Sequence, residues 1–518
     1  MSNDTTAAGG PAGPPTAPDP APAPAPVPGP GAATGGPDLS VRDPDPGLYN
    51  EDLAPLPRAK RSWGAFEIFN VWTNDIQSLF GYTLAATLFI SSGLNGWAVF
   101  AGIVLSGLIV MVLCDLVGRP SVRYGVPYAV LARASMGVRG TQFPTLIRGV
   151  TAMFWYGAQT YFASTAVALL ITALFGPGPE GTFLGLSAVG WTAYIAVALF
   201  QLALFGKGMS WIGTFLNWAG PAVYAVMFGL MAAIWVMAGS DLLSELGTVF
   251  AGSGEPEGGT VAAFSAVVGT MTAYFAAVVV NYGDFSRFVR TERSMRIGNL
   301  LGLPVSLAVF SFLTLVITAG TSVLYGEALT NPADIVDRVD NVWLTVTAAL
   351  TFFVATVGIN LVANFVPPAY GLANLMPSRI SARTGGLITA AVGFVIGALW
   401  VAFIEDIGIS AFVDTLGAVL APLYGIIVAD LYLIRRGRLN LDALYSAAPD
   451  GEYHYAKGWN TRALAAFLLA SVFSVTALWT PALADWSGFT WLFGALLGGA
   501  LHILLMRRLR TPAPADHS

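Results

Sequence analysis

Charge and sulfur are what this sequence is short of. Of 518 residues only 11% are charged and 55% are hydrophobic, where a soluble globular domain carries about 25% charged residues. So little polar surface excludes a soluble globule and leaves a membrane protein. Cys114 is the single cysteine, which excludes an intrachain disulfide and a cysteine-based metal framework. Three histidines, His454, His502 and His517, stand too far apart for a metal motif. A net charge of −5 offers no footprint for nucleic acid. No GxSxG, HExxH or CxxC occurs, and "FGKGMS" lacks the first glycine and the spacing of a phosphate loop. Neither an enzyme nor ATP hydrolysis is expected, and no cofactor or metal is called for.

What the chain has in quantity is apolar sequence. A bilayer core of about 30 Å takes roughly 20 helical residues, and about twelve stretches are long enough, from 66–92 at one end to 487–506 at the other. The fold class is therefore an all-α membrane protein. Residues 1–46, with "PAPAPAPVPGPGAATGG", hold almost no large apolar side chains and read as a disordered tail; no basic segment followed by an apolar one marks a signal peptide. If the N-terminus is cytoplasmic, every lysine and arginine except Arg338 falls on the inner side. The positive-inside rule then favours an even number of spans with both termini cytoplasmic, in a bacterial-type inner membrane.

Three spans are polar in their middle. The first reads "FNVWTNDIQSLFGYTLAA", and counting about 1.5 Å per residue puts Asp75 roughly 13 Å deep, near the midplane. A carboxylate there costs about 2.5 to 3.5 kcal/mol on insertion scales, so it faces a bundle interior or an aqueous cavity; it is either a buried structural group or a functional one. The sixth, "GTMTAYFAAVVVNYGDFSRF", is interrupted by Thr270, Thr272, Asn281 and Gly283. Interrupted segments at matched places in two halves point to a transporter's central site. The eighth carries Asn360 and Asn364 four residues apart, on one helical face, as interhelical glue or as ligand contacts. In the third span, "FWYGAQTYF" sets Trp155 one turn from Gln159. An amide in hydrocarbon needs a partner, from another helix or from a ligand. An aromatic face with amides that donate and accept at a ring edge suits a small planar heterocycle.

With these residues in view, the chain resembles the nucleobase:cation symporter-1 family, which includes bacterial hydantoin transporters and the allantoin, uracil and cytosine permeases. The resemblance runs from about Leu48 to Arg508 and rests on "LYNEDLAP", "RYGVPYAVLARASMGVRG", "FWYGAQTYFAS", "NYGDFSRF", "ATVGINLVANFVPP" and "LGAVLAPLYGIIVADLYLIRR" in order; the allantoin and uracil branch looks nearest. It implies twelve transmembrane helices: a ten-helix core of two inverted five-helix repeats over 47–435, two additional helices over 436–510, and a tail at 511–518. It also implies that Trp155 stacks on the substrate ring and Gln159 hydrogen-bonds its edge, with Asn364, Asn360 and Gln77 beside them. The family's Gly-Trp pair over the ligand is replaced by Tyr274-Phe275, so Phe275 is expected to sandwich the ring against Trp155, and hydantoin itself is less well matched. The positions that hold sodium in coupled relatives fall on Thr73, Ile76, Ala355, Gly358 and Ile359. Gly358 and Ile359 offer no hydroxyl to a hard cation, which favours proton coupling through Asp75. The expected molecule is a monomeric importer of allantoin, uracil or a related ureide or nucleobase; a sodium-coupled symporter and an uncoupled facilitator are the alternatives.

Overall fold

The computed structural model describes residues 39–507 apart from 52, 208, 249–255, 257, 340–341, 377–378, 481 and 484–487. Most of the expected N-terminal tail and all of the C-terminal one lie outside the described residues. Where the expected tail is described it is tied down: the Arg42 N–H donates to Asp442 Oδ1 and the Asp45 N–H to the Tyr445 carbonyl.

An apolar segment in a bilayer has to close its own backbone hydrogen bonds, which a helix does within itself. The chain opens with α1 (Ala65–Ile76) and α2 (Leu79–Ser91), followed by α3 (Gly96–Tyr124), α4 (Gln142–Phe175), α5 (Ala188–Lys207) and α6 (Met209–Ala238). Then come α7 (Gly259–Tyr274), α8 (Ala276–Val280), α9 (Glu292–Tyr325) and α10 (Val342–Ala369). The last are α11 (Arg383–Ala398), α12 (Trp400–Ile407), α13 (Ile409–Ile434), α14 (Thr461–Trp479) and α15 (Thr490–Arg507). A hairpin pairs Thr182–Phe183 with Leu186–Ser187; everything else regular in the described residues is helical.

Among the described residues, nine helices are long and apolar enough to cross a membrane, or ten if α11 and α12, bent by 55°, count as one. The difference from twelve stretches falls at the first and the sixth, which are broken. In the first, "DIQS" ends one helix and begins another: the Gln77 N–H closes on the Thr73 carbonyl, and Ser78 caps α2 by accepting from the Gly81 N–H at 3.0 Å. The Leu79 N–H freed at this break is taken by Thr356 Oγ1 of α10 at 3.0 Å. The sixth stretch breaks at Phe275, between α7 and α8. The eighth stays continuous but widens to a π-helix over Asn360–Phe365, just before Pro367 and Pro368, which bring no N–H to the preceding turn.

The long α4 runs through the middle, packed by α5, α10 and α11. Its approach to α11 is backbone on backbone: a Cβ on Gly397 would stand 2.4 Å from the Gly157 carbonyl oxygen, and one on Gly157 2.7 Å from that of Gly393. Small residues supply this closeness in membranes, where lipid tails compete for apolar contact.

At the end of the bundle that carries the basic loops, α13 is bolted to the segment after it. Asp430 accepts from Arg435 Nε at 2.6 Å and lies 3.1 Å from His502 Nε2 of α15. Arg435 also reaches Glu452, Tyr455 and the Ala134 carbonyl. Nearby, burial draws the Arg133 guanidinium down to about 10, with the Tyr445 ring 5.2 Å away acting the opposite way.

Candidate functional site

The two breaks meet at α4. Gln159 Nε2 donates to Ser78 Oγ at 3.3 Å, and Ser78 Oγ lies 3.2 Å from the Tyr274 hydroxyl. That hydroxyl sits 2.8 Å from the Asp75 carbonyl oxygen and 3.3 Å from Asp75 Oδ1. One continuous polar thread thus joins the third span to the first and sixth. The amide nitrogen of Gln159 is satisfied by another helix; its Oε1 is buried with no hydrogen-bond partner among the described residues, so one edge of the amide remains for a ligand.

Trp155, one turn earlier, is buried in an aromatic box. Its ring lies 4.9 Å from Phe80, 5.5 Å from Tyr274 and 5.5 Å from Phe412, each edge-on. Phe275 follows the end of α7, where the chain turns, and its ring meets Trp72 at 6.0 Å and Tyr274 at 4.8 Å. Of the Tyr274–Phe275 pair, it is Tyr274 whose ring meets Trp155 directly.

The two asparagines divide their roles. Asn360 Nδ2 lies 2.8 Å from Gln201 Oε1 of α5, 3.1 Å from Thr160 Oγ1 and 3.1 Å from the Tyr156 carbonyl. Its Oδ1 accepts from Asn364 Nδ2 at 3.2 Å. Asn360 therefore ties α10 to α4 and α5 and steadies Asn364. Gln77 is buried beside the break with neither amide atom in a well-formed hydrogen bond, the Tyr224 hydroxyl being the group that faces it.

The positions aligned with a sodium site are occupied by other duties. The Thr73 hydroxyl turns back on its own helix, to the carbonyls of Phe69 and Asn70, and its carbonyl accepts from Gln77. Ile76, Ala355, Gly358 and Ile359 are buried and bring no side-chain oxygen. Thr356 next to them has spent its hydroxyl on Leu79.

Arg148, on α4 two turns before Trp155 and at the inner end of the span, is 2% exposed. Nε donates to the Ala277 carbonyl at 2.9 Å and Nη2 to the Ala363 carbonyl at 2.8 Å, and both nitrogens reach Asn281 Oδ1. Pro367 cannot give Ala363 its helical hydrogen bond, and the guanidinium takes that place. Asn281 in turn donates to Asp284 Oδ2 at 3.1 Å, and Asp284 accepts from the Tyr128 N–H. This explains why "NYGDFSRF" carries polar residues at the end of an apolar run. An arginine two turns before the aromatic-amide pair was the available signal.

Away from Arg148, the box is roofed by Trp400, with the rings of Phe412 and Phe162 at 5.1 Å and 5.6 Å from it. Beyond the roof opens a cavity of about 530 Å³ lined by Thr83, Tyr161, Phe162, Trp400, Asp334 and Glu405. The arrangement can stack a flat ring, bond its edge through an amide, and connect that edge through two hydroxyls to a carboxylate. It holds no nucleophile activated by a base, and no group of three histidine, cysteine or acidic side chains that could hold a metal occurs among the described residues.

Comparison with known proteins points the same way. Residues 55–500 match the family described as permease for cytosine/purines, uracil, thiamine, allantoin. The allantoin permease of Bacillus subtilis is 33% identical over 466 residues, covering 89% of this chain and 93% of the relative. A putative allantoin permease of Escherichia coli is 30% identical over 469 residues, 89% and 95% of the two chains. In structure, a nucleobase-cation-symport-1 family transporter in a closed conformation with bromovinylhydantoin bound superposes with a TM-score of 0.74, covering 90% of this chain and 98% of that one at 23% identity.

Proposed function

This chain belongs to the family of permeases for cytosine and purines, uracil, thiamine and allantoin, and we propose that it imports a cyclic ureide or nucleobase, allantoin or uracil, by proton symport. The observation that carries this reading is the thread from Gln159 through Ser78 and Tyr274 to Asp75 beside the Trp155 ring. A planar imide stacked on Trp155 would present its donor and acceptor edge to the free Gln159 oxygen and to Asn364. Its arrival would then be felt at a carboxylate three hydrogen bonds beyond the Gln159 amide. Trp155, Gln159 and Asn364 are the contacts, Gln77 and Phe275 line the flanks, and Asn360 acts through Asn364. Proton rather than sodium coupling is supported by the lack of side-chain oxygens at Gly358 and Ile359 and by the prior use of the Thr73 and Thr356 hydroxyls.

The same reading sets the architecture. The broken first and sixth spans, five apart, are the matched elements of two inverted five-helix repeats; α14 and α15 are the two additional helices, for twelve spans in all, with both termini cytoplasmic and a monomer as the working unit. Alternating access turns on the breaks, because interrupted helices are where a midplane site can be opened to either side.

The test is uptake of labelled allantoin and uracil into cells expressing the protein, with a proton uncoupler in one arm and sodium replaced by choline in another. Accumulation that the uncoupler abolishes and choline leaves intact supports the symporter. Trp155→Ala should raise KM roughly 5- to 150-fold, the value of losing about 1–3 kcal/mol of ring stacking. Dependence on sodium would overturn the coupling, and failure to take up either compound would overturn the substrate.

A further inference from the structure

A second carboxylate lies inside the membrane, and symport through Asp75 leaves it unused. Asp414 is on α13, five residues from its start, within a span otherwise apolar at that level. Its Oδ2 accepts from Thr270 Oγ1 of α7 at 2.9 Å. The two helices are close here: one turn further on, a Cβ added to Gly417 would lie 2.6 Å from that of Ala273.

Two relations give Asp414 a place in transport. Thr270 and Tyr274 are four residues apart on α7 and so share a face, so one helix face offers its hydroxyls to Asp414 and to Asp75 in successive turns. Two residues before Asp414, Phe412 closes the roof against Trp155 and Trp400. Phe412 and Asp414 thus sit on one turn of α13, the first against the roof and the second against α7.

An ionised carboxylate between packed helices needs a cation or several donors to offset the water it has lost. Asp414 is partly buried, and its one hydrogen-bond partner among the described residues is a neutral hydroxyl. The charged groups on the elements packed around α13 are committed or distant. Glu405 and Asp406 lie in α12 before the helix starts, Arg148 of α4 is held by Ala277, Ala363 and Asn281, and His502 of α15 is with Asp430 at the far end of α13. Tyr274 of α7 is turned to Asp75, and Arg462 stands at the start of α14, at the basic end. None of these forms a hydrogen bond or ion pair with Asp414 among the described residues. A proton supplies the missing charge without any such partner.

We propose that Asp414 is a second proton-binding site of this transporter, filled while α13 is packed on α7 and emptied when the two helices separate. The step is a plain transfer: a proton from the water outside joins the carboxylate as the roof closes, and it is given up to the water inside when α13 leaves α7 with the roof still shut. The inference rests on the proton-symport reading and adds to it the group that links the proton to the roof.

Purified protein in liposomes, loaded with an inside-alkaline pH gradient and given labelled allantoin and uracil, tests it. Asp414→Asn should lose accumulation above the external concentration, and Asp414→Glu should restore it. Thr270→Val, which keeps the carboxyl and the fold, should shift the pH midpoint of uptake while leaving its maximum near that of the wild type. Accumulation by Asp414→Asn with the wild-type pH profile would overturn the proposal, as would an unshifted profile in Thr270→Val. If the wild type ignores the pH gradient and follows sodium, this site and the symport reading fall together. If the wild type follows the pH gradient and only Asp75→Asn abolishes it, Asp414 alone falls.

Discussion

Tyr274 makes three contacts with one hydroxyl: it bridges the Asp75 backbone, the Asp75 carboxyl and Ser78. Tyr274→Phe keeps the ring against Trp155 and removes only that bridge. The expected cost is about 1 kcal/mol of stability, read as a lowered melting temperature in detergent, together with a changed pH dependence of uptake. Both effects come from the hydroxyl, whereas a purely packing role for Tyr274 would leave both untouched. At this scale the sequence was legible where polarity and spacing coincided. Trp155 and Gln159 could be picked out because an amide one turn from an indole in an apolar run must find a partner on another helix or on a ligand, and Asp75 because a carboxylate at the midplane is costly. Tyr274 could not, since a tyrosine in an apolar span is ordinary until its hydroxyl is seen to touch two other helices. The turn at the end of α7 sends the two neighbouring rings to different partners, Tyr274 to Trp155 and Phe275 to Trp72.

Helix ends and helix contacts explain the middle scale. The polar residues crowded in the middle of the first span mark a break there: the Gln77 N–H closes the helix before it and Ser78 caps the helix after it. The π-helix of the eighth span has a visible cause in Pro367 and Pro368. The carbonyl those prolines leave bare, that of Ala363, is answered by Arg148 from another element. Pro367→Ala would return an N–H to compete for that carbonyl. It is expected to straighten the span and slow uptake, while Arg148→Met should leave buried carbonyls without donors and cost about 1–3 kcal/mol for each such group. The α4 to α11 contact gives a sharper outcome. Gly157→Leu puts a side chain where the Gly393 carbonyl already stands at 2.7 Å from the first added carbon. No rotamer avoids a backbone atom, so loss of folded protein on size-exclusion chromatography is expected, with Gly206→Ala, open to space, as the tolerated control.

The whole molecule is held at its basic end by side chains far apart in sequence. Arg435 joins Asp430, Glu452, Tyr455 and Ala134, and the opposition between burial and the Asp430 carboxylate ends with its guanidinium held above the ordinary range. Arg435→Ala would leave Asp430 buried beside His502 alone. A loss of about 3 kcal/mol is expected, measurable as a lower melting temperature with substrate affinity unchanged. Topology has its own check: with Cys114 replaced, single cysteines at Ser294 and Ser446 should react with an impermeant thiol reagent only in inside-out vesicles, and one at Glu180 only in right-side-out cells. The sequence by itself determined that this is a helical membrane protein, that its first and sixth apolar stretches are interrupted by polar residues, and that an indole and an amide stand one turn apart in the third. Those features come from hydrocarbon's intolerance of bare backbone and unpaired polar groups, which leaves its mark on every local stretch of chain. Only the tertiary structure decided that Tyr274 rather than Phe275 meets Trp155, that Asn360 is spent on Gln201, that Arg148 serves the proline-freed carbonyl, and that Asp414 finds Thr270. Each of those pairings joins residues on different helices, and the register of one helix against another is set by glycine contacts and packing across the bundle, which no local pattern records.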